Sequence, residues 1–245
     1  MALRLQIAAR THIGLTRTSH QDSVHLDGWT ASSHDAHATL DLRGRGVVAV
    51  IDGMGGHPGG ETASRVASAA LADLDLASAA DTTTVDAIVQ RVSDTVRETG
   101  ARTEGYASMG ATIAGFVVRE EELLLFNVGD CSILRLRDGY VGQLALIDRV
   151  ERGDGRPGVV AQSLGGTPTP TAVDAHADRF TPAPDDLLIV CSDGLTDPVG
   201  HEEIAALADQ HPDPETLARH LVAAACRAGG PDNISVVVVR PRLTD

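Results

Sequence analysis

Three hydrophobic runs in this 245-residue chain meet an aspartate beside a glycine or asparagine. Residues 47–51 run into Asp52-Gly53, residues 187–192 run into Asp193-Gly194, and Asp232-Asn233 leads into residues 234–239. An apolar run flanked by a carboxylate and a tight turn, repeated along the chain, is a way to gather distant acids at one sheet edge. Carboxylates do not cluster uncompensated, because like charges drive one another toward protonation. The pattern therefore predicts a hard divalent cation, Mg²⁺ or Mn²⁺. One carboxylate can bridge two such ions about 3.5–4 Å apart while two others complete the shell and leave positions for water. Water held there is acidified toward neutral pH, which suits in-line attack on phosphorus with no covalent enzyme intermediate. A phosphate dianion also needs a positive partner, best a bidentate arginine. Arg17, in the segment 17–22, offers one.

The elements that must position these acids follow from periodicity. Residues 3–10 alternate apolar and polar side chains and read as a strand, with a shorter one at 24–29. Residues 31–41, rich in His, Ser and Asp, read as a solvated loop, so His25, His34 and His37 are not taken as a metal site. The continuous apolar run 47–51 predicts a strand buried on both faces. Residues 61–74 and 84–99 carry helical spacing. Residues 110–118, 122–128 and 132–136 read as an antiparallel meander with turns near Arg119-Glu120 and at Gly129-Asp130. A further strand is expected over 140–147, a charged, Gly-rich loop over 149–158, and strands over 172–180 and 186–191. Helices are expected over 201–208 and from Pro214 to about Ala228, the latter capped by Asp213. A closing strand spans 234–240. Strands cluster between helix pairs without regular β-α-β alternation, which predicts an α+β fold with largely antiparallel sheets and helices packed outside. No internal repeat or linker is visible, and one domain over residues 1–245 is expected.

Composition narrows the function. Hydrophobic residues make up 42% of the chain and aromatics 2%, so the core must be aliphatic and a base-stacking platform is not expected. The net charge of −14 argues against a binder of nucleic-acid backbone. Every basic residue is arginine, which we attribute to coding bias. Cys131, Cys191 and Cys226 have no metal-type spacing and fit a reduced compartment. Cys191 reads as a packed thiol. The N-terminus lacks a signal-peptide pattern, and no run approaches a membrane span, so a soluble cytoplasmic protein is expected, with little reason in the sequence to expect more than a monomer.

The ordered motifs are residues 17–23, then DGMGGH (52–57), GATIAG (110–115), NVGDCS (127–132), QSLGG (162–166), CSDGLTD (191–197) and GPDNIS (230–235). Together they resemble the PPM, or type 2C, family of metal-dependent serine/threonine protein phosphatases in its bacterial form. The resemblance implies a four-layer α-β-β-α sandwich with the metal centre at the sheet edge, and two or three Mn²⁺ or Mg²⁺ ions. Residue by residue, it implies that Asp52 bridges two metals, that Gly53 supplies a backbone carbonyl to one, and that Asp193 and Asp232 bind the other. Asp22 would orient metal-bound water, and Arg17 would hold the substrate phosphate. Asp130 would join Asp193 in a third, weaker site. Asp197 is open between that site and a turn role, and Asp130 also competes with an ordinary turn reading. Asn233 would shape the turn presenting Asp232.

The resemblance also has gaps. Met54 stands where animal members carry a candidate general acid, so the leaving group would be protonated by metal-bound water. His57 could donate a proton, though a structural role is preferred. His20 stands where Asn is common, and a surface role is at least as plausible as contact with the site. The flap usually inserted before Gln162 is reduced to residues 147–161, which implies a more open site. The implied activity is hydrolysis of phosphoserine and phosphothreonine in proteins, opposing a serine/threonine kinase. The alternatives are a non-catalytic phosphoprotein-binding regulator on the same fold, or a phosphatase for a small phosphate ester.

Overall fold

The alternation within each strand sets how many layers the chain needs. The computed structural model describes residues 2–54, 59–150 and 158–244. Among them the order is β1 (Ala2–His12), β2 (Asp22–Leu26), β3 (Trp29–Ala31), β4 (Ala36–Arg43), β5 (Gly46–Met54), α1 (Gly59–Asp73), a 3-10 turn (Leu76–Ser78), α2 (Thr82–Arg102), β6 (Gly110–Arg119) and β7 (Glu122–Val128). Then come β8 (Ser132–Arg137), β9 (Tyr140–Gln143), β10 (Arg149–Val150), β11 (Val159–Val160), β12 (Leu164–Gly165), β13 (Asp178–Phe180), β14 (Leu187–Cys191), α3 (Asp193–Thr196), α4 (His201–Gln210), α5 (Pro214–Arg227) and β15 (Ile234–Thr244).

Two antiparallel sheets result. One runs β4-β1-β15-β14-β8-β9, and the other runs β13-β7-β6-β5-β2-β3 with β12 paired to one end of β6. Successive side chains point to opposite faces of a strand. In β5, accordingly, Val48 and Val50 enter a core shared with Leu5, Ile7, Val190 and Val237 of the facing sheet. Val47, Ala49 and Ile51 instead meet Ala63, Ala67, Val89 and Val92 of α1 and α2. A third core packs Ile189 and Val238 against Leu217 and Leu221 of α5. Three apolar layers between four layers of secondary structure make the α-β-β-α sandwich expected from the resemblance.

Local chemistry sets the helix ends. The Asp213 side chain accepts from Thr216 N at 2.9 Å, with Pro214 at the start of α5. Asp81 accepts from Thr84 N at 2.8 Å and starts α2 two residues before the periodicity does. No helix among the described residues is long and apolar enough to cross a membrane.

Several expectations change. Residues 36–43 form an edge strand, β4, and not a loop. Ala36, Ala38, Leu40 and Leu42 turn inward while His37, Thr39, Asp41 and Arg43 are exposed. The meander stops after β7, because β8 pairs with β14 in the other sheet. Gly129–Cys131 therefore crosses between sheets. Only Asp178–Phe180 of the stretch 172–180 is strand, since His176 has φ 44, which breaks extended pairing. Residues 149–150 and 159–160 pair as a short ribbon, and residues 151–157 of the expected loop lie outside the described residues.

Candidate metal centre

Five strand ends place the acids. Asp22 opens β2 and faces Asp52 across the β2–β5 register. Both share the face of Val24, Val48 and Val50, so they point between the sheets. Asp193 follows β14 and Asp232 precedes β15, the neighbouring strand, with Ser192 N donating to Ser235 O at 3.1 Å. Asp130 lies on the crossing from β7 to β8. The glycines beside two of these acids are forced by close backbone approach. A Cβ on Gly53 would lie 2.0 Å from Gly60 O, and one on Gly194 would lie 1.9 Å from Asn233 O.

Arg17, Asp52, Gly53, Asp130, Asp193 and Asp232 line one cavity of about 270 Å³, with Gln21, Met54, Thr112 and Val160. A larger cavity of about 590 Å³, beside Arg119–Glu122 at the opposite end of the sheets, has no such convergence of buried acids. Asp22 sits behind the acid-lined cavity, 1% exposed. Asp197 is not on its wall. It is gripped by Arg149, whose Nη1 and Nη2 donate to its two carboxylate oxygens at 2.6 and 2.8 Å. Arg17 Nη2 donates to Asp232 Oδ2 at 2.6 Å. His57 lies outside the described residues.

The cluster resists ionisation. Burial, then the charges of Asp22, Asp193, Asp232 and Asp130, push Asp52 well above the usual carboxylate range. Burial, then Asp130, Asp197, Asp232 and Asp22, raise Asp193 to about 7. Burial raises Asp22 to about 6, against hydrogen bonds from Ser235 and Ser192. Asp130 is raised by burial and partly relieved by Arg149. Buried oxygens Asp22 Oδ1 and Asp193 Oδ1 have no hydrogen-bond partner. An unpaired buried carboxylate oxygen is costly, and positive charge or ordered water there removes the cost. Among the described residues, no three His, Cys, Asp or Glu side chains close into a ready-made cage. What favours a hard cation is the all-oxygen donor set and its unpartnered buried oxygens. The residues present fit such ions.

A polar network holds the back of the site. Ser192 Oγ donates to Asp22 Oδ2 at 2.9 Å and accepts from Ser235 N at 3.0 Å. Thr11 Oγ1 lies 2.7 Å from Ser235 Oγ and 2.8 Å from His20 Nε2. His20 is thus buried and not on the surface, and burial lowers its pKa to about 4, which keeps it neutral. Asn233 accepts from Gln21 N and donates to Ile13 O and Ser19 O, so it ties the Arg17 loop to the Asp232 turn. Sequence reading missed Thr11, Ser192 and Ser235. The one available signal was a serine one residue before Asp193 and another three residues after Asp232, on strands that prove adjacent.

The family described as Protein phosphatase 2C matches residues 30–225. The serine/threonine protein phosphatase PstP of Mycobacterium tuberculosis is 32% identical over 97% of this chain and 45% of its own length. The chain thus spans about half the length of that relative. The serine/threonine phosphatase stp of Listeria monocytogenes is 27% identical over 81% of this chain and 85% of its own. Among solved structures, the catalytic domain of PstP in complex with two manganese ions is similar with TM-score 0.79 and 29% identity, over 98% of this chain and 99% of that one.

Proposed function

The chain belongs to the protein phosphatase 2C family, and from that membership we propose that it hydrolyses phosphoserine and phosphothreonine in proteins with the aid of Mn²⁺ or Mg²⁺. The observation that carries this reading is the convergence of Asp52, Asp130, Asp193 and Asp232 with Arg17 on one cavity, with Asp22 buried behind it. The two manganese ions of the similar PstP domain support a pair of ions here. Asp52 and the Gly53 carbonyl would hold one, and Asp52, Asp193 and Asp232 the other. Such ions, when bound, acidify water and offset phosphate charge.

The chain's own groups do the rest. Arg17, with 48% of its side chain exposed and one contact to Asp232, turns to the phosphate dianion and grips it through parallel N–H donors. Asp22 is fixed through Oδ2 by Ser192, so its unpartnered Oδ1 is free to orient the attacking water and accept its proton. Neutral His20, through Thr11 and Ser235, steadies the strand ends that carry Asp22 and Asp232.

We read residues 1–245 as one catalytic unit with a shortened flap at 147–161, acting as a monomer in the bacterial cytoplasm on the products of a serine/threonine kinase. The bacterial organisms of the relatives support the bacterial setting alone. The test is release of phosphate from a phosphothreonine peptide with and without Mn²⁺, alongside Asp193→Ala. Mn²⁺-dependent release that Asp193→Ala abolishes is expected. Absence of Mn²⁺-stimulated turnover by the wild type rejects the reading, and turnover confined to a small phosphate ester redirects it to that substrate class.

A further inference from the structure

We propose that Arg149 takes the place of a third metal ion, so that this chain holds its acids with two divalent cations and one built-in guanidinium. The inference rests on the two-ion reading above and concerns the side of the cluster away from Arg17.

The resemblance puts Asp130 and Asp193 in a third site and leaves Asp197 open to it. Both oxygens of Asp197 are already taken by the Arg149 fork, at 2.6 and 2.8 Å. A planar guanidinium matched to one carboxylate is the strong, directional form of this pair, and arginine stays charged at every working pH. Its charge also reaches the rest of the trio. Arg149 is raised first by its hydrogen bonds to Asp197 and further by Asp130 and Asp193, while it relieves Asp130. A divalent ion placed among these acids would meet a fixed positive charge and an aspartate with no free fork.

The backbone keeps Arg149 there. Its residue pairs with Val160, which lines the metal cavity. The preceding Asp148 donates its N–H to Gly129 O at 2.7 Å and accepts from Gly129 N at 2.9 Å, next to Asp130. Its carboxylate also accepts from Gln162 Nε2 and lies 2.8 Å from His176 Nε2. Gly158 leaves room for the arginine stem, since a Cβ there would lie 2.6 Å from Arg149 Cγ. The Arg149 side chain is 14% exposed and that of Asp197 41%. Residues 148–149 and 158–160, flanking residues 151–157, thus hold a cation beside the cluster.

The test counts bound Mn²⁺ per chain, by equilibrium dialysis with electron paramagnetic resonance, in the wild type, Asp197→Asn and Arg149→Met, with circular dichroism to check folding. The wild type is expected to saturate at two ions. Asp197→Asn is expected to stay at two, because Asp197 holds Arg149 and not metal. Arg149→Met is expected to admit a third, weaker ion. A third ion in the wild type, a lower count in Asp197→Asn, or an unchanged count in folded Arg149→Met overturns the proposal. The wild-type and Asp197→Asn counts can still overturn it if Arg149→Met fails to fold. Failure of the wild type to bind any Mn²⁺ would instead overturn the metal-centre reading beneath it.

Discussion

Two arginine–aspartate pairs flank the acid cluster, and they are built for different work. Arg17 reaches Asp232 through one contact of 2.6 Å, with 48% and 35% of the two side chains exposed. It rides on the irregular stretch between β1 and β2. Arg149 grips Asp197 through two contacts and is 14% exposed, on a paired ribbon anchored to the β7–β8 crossing. Asp197 itself is 41% exposed, so the difference lies in the half-buried arginine and its two-pronged geometry. A single exposed pair contributes about 0–1 kcal/mol and exchanges readily, whereas a bidentate fork on a shielded arginine holds its geometry better. The same two residue types therefore give a mobile anion gripper on one flank and a fixed counter-charge on the other.

The largest expected effect comes from the acid between the flanks. Asp52→Asn should abolish tight Mn²⁺ binding and lower phosphatase turnover by about a thousandfold or more, because several kcal/mol of charge stabilisation vanish. Calorimetric Mn²⁺ titration and phosphopeptide kinetics check this, and a variant retaining a tenth of wild-type turnover would remove Asp52 from the centre of the comparison. Next is Arg17→Ala. It should reduce kcat/KM roughly 10–100-fold through loss of charge-assisted hydrogen bonds to phosphate, with the Mn²⁺ count unchanged. If Arg17→Ala altered the ion count and left phosphopeptide kinetics alone, the two flanks would have to exchange roles.

What was legible in the sequence tracks what is local. The apolar runs of β5, β14 and β15 lie within a few residues of their aspartates, so the strands and the acids beside them can be read together. Asp213-Pro214 likewise marked a helix start in two residues. The edge strand β4 was missed because Ala36 and Ala38 make a faint inner face among His, Thr and Asp. The crossing at Gly129–Cys131 was misread because Gly-Asp turn chemistry is the same whether the chain doubles back or changes sheet. His20 stays open between surface and site in the sequence because its partner Thr11, itself bonded to Ser235, meets it only in three dimensions. The Arg149–Asp197 fork spans 48 residues, and no local pattern encodes it.

The electrostatics predict a sign reversal between metal-free and metal-bound protein. Asp193 ionises near 3.8 in an unfolded chain and near 7 in the metal-free fold. Between those values the folded chain binds the extra proton, so this residue's contribution to stability falls as pH rises, and its full penalty is present above about pH 7. Asparagine carries no such penalty. In chelator, Asp193→Asn should therefore be more stable than the wild type at pH 8, by on the order of a few kcal/mol, and so melt higher, with the gain fading toward pH 4. In saturating Mn²⁺ at pH 8 the order should invert, because the wild type alone gains a full set of ligands. Thermal melts at the two pH values, with and without Mn²⁺, check both halves. A variant less stable than the wild type in chelator at pH 8 would mean that Arg17 and Arg149 already neutralise the cluster.

The smallest expected effect belongs to a third pair that serves as a calibrator. Arg4 Nη2 donates to Asp41 between β1 and β4, with 35% and 46% of the side chains exposed, on an edge far from the acids. Solvent screens such a pair, and its chains lose rotamer freedom in making it. Arg4→Ala should leave the melting temperature within experimental scatter and change neither the Mn²⁺ count nor turnover. Arg149→Met should lower the melting temperature measurably in metal-free protein, because it leaves Asp197 and Asp130 without their shared counter-charge. If the two variants melted alike, the fork and shielding of Arg149 would have no energetic consequence, and the contrast between the two flanks would reduce to geometry alone.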